Sequence, residues 1–289
     1  MFLIELLKAI LFGIVEGVTE WLPVSSTGHI ILLDEFVKLK LETPGFYDLF
    51  EIVIQLGAIL AVILLFFHKL NPFSPKKDIE QKKNTWQLWF KVVLAVLPSA
   101  VIGILIDKPL DTYMENTPLL GTTLKVVVVS AALILYGVAF LYMERDNKKQ
   151  FRIQSVDEID YKTALLIGAF QCLSIIPGTS RSGATILGAI LLGVARPAGA
   201  EFSFFLAIPT MLGASALKLL DFLLEGVKAT GTEVAVLLVA CVVSFIVSVV
   251  VIRGLMEYVR KRSFAAFGVY RIVLGALVLG YFLVKAIVM

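Results

Sequence analysis

Six stretches of the chain, 49–67, 92–106, 119–142, 202–220, 234–252 and 264–284, are apolar almost without interruption. Several approach or exceed the roughly 20 residues needed to cross a hydrocarbon core. No water is available in lipid to satisfy a peptide group, so such stretches must close their hydrogen bonds within helices. That constraint points to an all-α integral membrane protein. Composition agrees: 58% hydrophobic and 17% charged residues, with a mean hydropathy of +0.90, are too apolar for an ordinary soluble surface and leave no room for a separate soluble domain. Lys8 is the only basic residue before the first polar break and no small-residue cleavage site follows it, so no removable leader is expected. Cys172 and Cys241 sit among apolar neighbours, as reduced, packed thiols would, and not as a disulfide framework or metal cluster.

Two further apolar runs are broken rather than continuous. Phe2–Val15 is followed by Glu16-Gly-Val-Thr-Glu-Trp-Leu-Pro-Val-Ser-Ser-Thr-Gly-His29 before Ile30–Leu33 turns apolar again. Neither half is long enough to span, and Pro23 and Gly28 stand at the break, the pattern of a re-entrant helix-loop-helix whose loop lines a cavity. The second half of the chain repeats this order. With Gly13 set on Gly168, residues Ser25, Thr27 and Gly28 fall on Ser180, Ser182 and Gly183, and Thr185–Val194 takes the part of Ile30–Leu33. A related offset sets Glu51 and Leu56 on Glu201 and Leu206, each opening a span. The expected architecture is therefore a repeat of one unit, a re-entrant hairpin plus three spans. Residues 1–142 form the first copy, 163–289 the second and 143–162 the linker.

Three spans is an odd number, so the copies must lie in opposite orientations. The loops 68–91, 143–162 and 253–262 together hold 15 Lys and Arg, whereas 34–48, 107–118 and 221–233 hold 4. The positive-inside rule makes the first set cytoplasmic. Both termini are then outside the cytoplasm, and the first hairpin opens to that same side.

Ionisable groups at membrane depth are costly and usually functional. Glu16 and Glu20 are four residues apart, so on a helix both carboxylates leave one face and can share a cation or a proton. Ser25, Ser26, Thr27 and the Gly28 amide are donors suited to phosphate oxygens, and His29 can exchange a proton near neutral pH. In Pro177-Gly-Thr-Ser-Arg-Ser-Gly-Ala-Thr185, Arg181 stands among Thr179, Ser180, Ser182 and Thr185 just ahead of an apolar helix, an arrangement that fits an anion. Together the hairpins suit a phosphate ester or anhydride on a lipid. From these residues alone a proton or cation site of a transporter stands level with an enzyme, and Gly28 and Gly183 are equally explained by close helix packing.

These two segments, with Phe50-Glu-Ile-Val-Ile-Gln-Leu-Gly-Ala58, Ala200-Glu-Phe-Ser-Phe204 and Tyr270-Arg271, resemble the bacterial undecaprenyl-diphosphatase family, the bacitracin-resistance phosphatases. The resemblance covers nearly the whole chain. It implies a membrane hydrolase that removes the terminal phosphate of the C55 isoprenoid diphosphate and regenerates the monophosphate carrier for cell-wall synthesis, conferring bacitracin resistance. It further implies that activity depends on Glu16, Glu20, Ser26, His29 and Arg181. In this reading Ser25, Thr27, Gly28, Ser180, Ser182, Gly183 and Thr185 line the substrate, and Glu16 or Glu20 helps a divalent cation, Mg²⁺ or Ca²⁺, to bridge the diphosphate. Three routes of attack stay open: Ser26 with His29 as base, His29 itself, or an activated water. A carrier that flips the polyprenyl phosphate is the competing function, since inverted repeats also build transporters.

The remaining polar residues read as structural. Glu51, Gln55 and Glu201 are expected to bond the unwound hairpins, with Arg271 neutralising Glu51 or Glu201. Trp21 either flanks the prenyl chain or packs, Trp86 and Trp89 are interfacial anchors, and His68 is solvated. The Lys run at 76–83 is topogenic, so the expected partners are the polyprenyl diphosphate and the bilayer, with a homodimer left open and no nucleic acid.

Overall fold

The computed structural model describes residues 2–115, 118–145 and 151–288; the side chains of 104, 106–123 and 288 lie outside that description. Among the described residues there is no strand, only a parallel bridge between Ile153 and Val194. The helices in order are α1 (Phe2–Thr19), α2 (Ser26–Phe36), α3 (Phe46–Leu65), α4 (Phe67–Leu70), α5 (Ile79–Glu115) and α6 (Pro118–Met143). There follow α7 (Tyr161–Gln171), α8 (Arg181–Leu191), α9 (Arg196–Leu224), α10 (Gly231–Lys261) and α11 (Ala265–Val288). Six of them, α3, α5, α6, α9, α10 and α11, are long and apolar enough to cross a membrane. The chain is a multi-pass membrane protein. In each half two short helices separated by a break precede three long ones.

Helix boundaries depart from the sequence reading at several points: the expected loop 253–262 is helix α10 as far as Lys261, α9 already starts at Arg196 and runs to Leu224, and α5 continues to Glu115 through most of the expected loop 107–118, since the charged ends of an apolar helix keep good helix formers. The basic stretch 68–91 is a loop only over 71–78, and α5 begins at Ile79, because Lys, Glu and Gln are good helix formers and extend an apolar helix at little cost. Helix α2 runs to Phe36 and α3 starts at Phe46, which shortens the loop expected over 34–48. The part of the linker at 151–160 is packed rather than free, with Ile153, Val156 and Ile159 buried; its residues 146–150 lie outside the described residues.

The chain divides into two compact units. One comprises 1–21, 29–90 and 204–255. Its core gathers Phe12, Phe46, Phe50, Ile54, Phe222 and Val236. Small residues let its helices close up: a Cβ on Gly13 would come 2.6 Å from the Ala240 carbonyl oxygen, and one on Gly17 would come 2.8 Å from that of Ser244, so α1 lies almost backbone to backbone on α10. Gly57 of α3 meets the Cys241 backbone of α10 in the same way. The head of α10 is tied down by Glu233, whose carboxylate accepts from the amides of Glu42 (2.9 Å), Thr43 (2.8 Å) and Thr230 (2.7 Å).

The other unit comprises 22–28, 91–203 and 256–289. Here α6 and α11 run side by side through a reciprocal glycine contact, Gly137 against the Gly268 carbonyl and Gly268 against that of Gly137. Gly168 lies against the Ala95 backbone and Gly188 against the Phe170 ring, so α7 is pressed between α5 and α8. Asp160 caps α7 by accepting from the Thr163 amide at 2.7 Å. An ion pair joins buried Glu144 to half-buried Arg196, and the same carboxylate accepts the Phe264 amide at 3.1 Å.

Candidate active site

The two hairpin loops are held in the second unit, and both reach their second helix through the same unusual backbone. Among the described residues, Ser25 (φ 72°) and Ser180 (φ 71°) alone of the non-glycine residues have positive φ. Left-handed backbone is strained for any side chain larger than hydrogen and is kept where the surroundings enforce it. Each serine sits just before a helix. The Gly28 amide donates to Ser25 Oγ at 3.4 Å, and the Gly183 amide donates to Ser180 Oγ at 3.1 Å. Each sharp turn thus caps its helix and aims the first-turn amides of α2 and α8 out of the loop.

The loops touch one another. Ser182 Oγ donates to the Leu22 carbonyl oxygen at 3.2 Å and shares a 3.1 Å contact with Ser180 Oγ. Arg271, fully buried on α11, donates to carbonyl oxygens of both loops: Nη1 to Pro23 at 3.1 Å and Nη2 to Gly178 and Thr179 at 2.9 Å each. Its Nε reaches Leu133 of α6 at 3.5 Å, and its guanidinium lies 5.3 Å from the Tyr136 ring centroid. This replaces the expected pairing with Glu51 or Glu201: Arg271 bonds carbonyls that unwound loops would otherwise leave unsatisfied in an apolar interior.

Arg181 opens α8 half-buried, and its Nη1 donates to the Ser203 carbonyl oxygen at 2.9 Å. Thr185, expected among the groups that hold substrate oxygens, is fully buried; its hydroxyl bonds the carbonyls of Arg181 (2.9 Å) and Ser182 (3.2 Å) and the Ser203 hydroxyl (2.6 Å). It braces the first turn of α8. Gly183 leaves room for the same core, since a Cβ there would lie 3.0 Å from Arg271 Nη1. Ser203 was not singled out from the sequence, although it stands within the Ala200–Phe204 segment that carries the resemblance. Ser26 opens α2 half-buried, Thr27 is exposed, and His29 is half-buried one turn further along the helix.

In the first unit Glu16 is fully buried and Glu20 nearly so, and the Glu20 amide donates to the Glu16 carbonyl at 3.0 Å, which continues the helical turn past Thr19. Trp21 is also fully buried, with its ring edge-on to Phe204 at 5.3 Å between centroids, so it packs. His68 is exposed. Among the described residues no three His, Cys, Asp or Glu side chains gather as a self-sufficient metal cage. Glu16 and Glu20, a turn apart, are oxygen donors of the kind a hard cation takes, though two side chains alone do not complete its coordination.

Fold and site together define a polytopic, all-helical membrane protein in which two capped loops bring hydroxyls, amides and an arginine into one buried cluster. The family model of bacitracin resistance protein BacA matches residues 9–277, and the chain belongs to that family. It is 53% identical to an undecaprenyl-diphosphatase of Lactiplantibacillus plantarum across 97% of this chain and 98% of the relative. It is 51% identical to an undecaprenyl-diphosphatase of Enterococcus faecalis across 98% and 99% of the two chains. It is 54% identical to undecaprenyl-diphosphatase 1 of Clostridioides difficile across 97% of each.

Proposed function

We propose that this chain is a membrane hydrolase that converts undecaprenyl diphosphate to undecaprenyl phosphate and inorganic phosphate, and so recycles the lipid carrier of cell-wall synthesis and confers bacitracin resistance. The observation that carries this reading is the joining of the loop that heads Ser26 to the loop that heads Arg181, each with a serine-capped helix start. Arg181 clamps the terminal phosphate through its planar fork, assisted by first-turn amides of α2 and α8 and by the Ser25, Thr27, Ser180 and Ser182 hydroxyls. Ser203 fixes Arg181 by taking one of its N–H groups, and Thr185 steadies both.

Ser26 Oγ attacks the terminal phosphorus and gives its proton to His29; the bond to the bridging oxygen breaks and the lipid leaves as the monophosphate. The departing monophosphate takes that proton from His29; neutral His29 then takes a proton from the water that attacks the phosphoserine and returns it to Ser26 Oγ as phosphate leaves. Opening one helix, three residues apart, supports this assignment of Ser26 and His29. Glu16 and Glu20 would hold Mg²⁺ or Ca²⁺, which neutralises charge on the diphosphate when bound.

The chain is built as two inverted copies, 1–142 and 163–289, with both termini and the mouth of the first hairpin on the extracytoplasmic side. Support comes from the repeated helix order, from the twin positive-φ serines at the aligned positions 25 and 180, and from the loop charges. Phosphate release from undecaprenyl diphosphate by the purified protein in detergent, with Mg²⁺ and with a chelator, tests the activity. Release from wild type that a chelator suppresses and that disappears in folded Ser26→Ala and His29→Ala is expected. No release from wild type leaves a carrier of polyprenyl phosphate as the function, and release from Ser26→Ala near the wild-type rate moves the attack to His29 or water.

A further inference from the structure

Arg271 is the most deeply buried cation among the described residues, and it lies outside both hairpins. Burying a guanidinium in an apolar interior is costly unless its N–H groups are met. Among the described residues no carboxylate meets them: its partners are four backbone carbonyl oxygens and the face of Tyr136. Three of these oxygens are in non-helical loops at fixed offsets from residues assigned to the reaction. Pro23 is three residues before Ser26, and Gly178 and Thr179 are three and two residues before Arg181. A rigid fork that donates in several directions at once can set the spacing of two chain segments, which a flexible ammonium cannot. Gly183 leaves the guanidinium room, with a hypothetical Cβ 3.0 Å from Nη1 and 3.2 Å from the Ser180 Cβ.

We propose that Arg271 is a positioning residue of the reaction: it staples the loop before α2 to the loop before α8 through their carbonyls and so fixes Ser26 against Arg181. It touches neither substrate nor reacting atoms. The proposal rests on the hydrolase reading above. A misplacement of about 1 Å between reacting groups costs on the order of 10²-fold in rate, so loss of the staple falls on kcat, while KM, governed largely by the long apolar chain of the lipid, changes little.

The test measures kcat and KM for phosphate release from undecaprenyl diphosphate by wild type, Arg271→Lys and Arg271→Ala, with folding checked by gel filtration and thermal unfolding. Expected are a fall in kcat on the order of 10²-fold with KM within about threefold in both variants. In Arg271→Ala, millimolar guanidinium restores at least about tenfold of kcat, and the same concentration of neutral urea restores nothing, because only the planar cation refills the donor set. If neither Arg271 variant folds, Gly183→Ala decides, since its added methyl pushes the guanidinium and the Ser180 turn while keeping the charge; a fall in kcat with KM unchanged is expected. Wild-type kcat in a folded Arg271 variant, a loss matching only the unfolded fraction, rescue by urea as well as guanidinium, or full kcat in Gly183→Ala overturns the proposal. An inactive wild type would instead remove the hydrolase reading on which it rests.

Discussion

Replacing Gly137 by alanine should destabilise the protein, although alanine is the better helix former. The residue lies where α6 meets α11, and an added Cβ would sit 2.7 Å from the Gly268 carbonyl oxygen and 2.7 Å from Ile272 Cγ1. Ordinary contact begins at 3.4 Å, so the helices must part by about 0.7 Å, and the obstructing carbonyl is backbone that cannot turn aside. Overpacking of this kind costs about 1–3 kcal/mol, and the propensity gain of alanine over glycine returns roughly 0.5–1 kcal/mol. A net loss of about 1–2 kcal/mol follows, equivalent to a Tm lower by roughly 2–8 °C for a chain of this size. The control is Gly280→Ala on the same helix α11, where an added Cβ meets nothing within 4 Å and stability should hold or rise slightly. Thermal unfolding of both variants and wild type, purified in one detergent, gives the comparison. Gly137→Ala as stable as Gly280→Ala would refute the claim that the α6–α11 seam is set by backbone contact.

Three further outcomes are expected. Ser180→Gly should be close to neutral in stability, since it relieves the positive φ while losing the cap, whereas Ser180→Ala keeps the strain and loses the Gly183 bond, costing about 1–2 kcal/mol by thermal unfolding. Glu144→Gln should cost about 1–2 kcal/mol, because it removes the charge that faces half-buried Arg196 and weakens the acceptor for the Phe264 amide; chemical or thermal unfolding matching wild type would count against the ion pair. Asp160 is held below the ordinary carboxylate range chiefly by the Thr163 amide. Its unfolded form therefore binds protons first as pH falls, so its contribution is complete above its ordinary pKa of about 3.9 and is lost as acid titrates the lowered folded value. Asp160→Ala should be less stable by up to about 1 kcal/mol at pH 7, with the gap closing at lower pH in pH-dependent melts.

Much of the fold was legible because lipid removes alternatives: an apolar run of adequate length must be helix, and Pro23 and Gly28 in a run too short to span mark a break. The candidate site residues stood out by chemistry, since Glu16, Glu20 and Arg181 have no cheap reason to lie in apolar sequence. The start of α5 was not legible, because Lys76 to Lys91 reads as loop by charge yet 79–91 is helical by propensity. Arg271 was recognisable as structural but its partners were not, because backbone carbonyls have no sequence signature and the loops it bonds lie 248 and 93 residues away. The positive φ of Ser25 and Ser180 was equally silent, since serine is not a residue that favours that region. Nothing in the sequence shows that the Thr185 and Ser203 hydroxyls meet at 2.6 Å, or that the Ser203 backbone carbonyl accepts from Arg181.

Whether Arg181 holds the phosphate is tested by phosphate release from undecaprenyl diphosphate by Arg181→Ala and Arg181→Lys against wild type, each verified as folded. A planar bidentate clamp on the terminal phosphate predicts that Arg181→Ala loses release by at least about 10²-fold and that lysine, a point charge, recovers only a small part of it. Release by a folded Arg181→Ala at the wild-type rate would contradict the account and place the phosphate elsewhere than between the two capped loops.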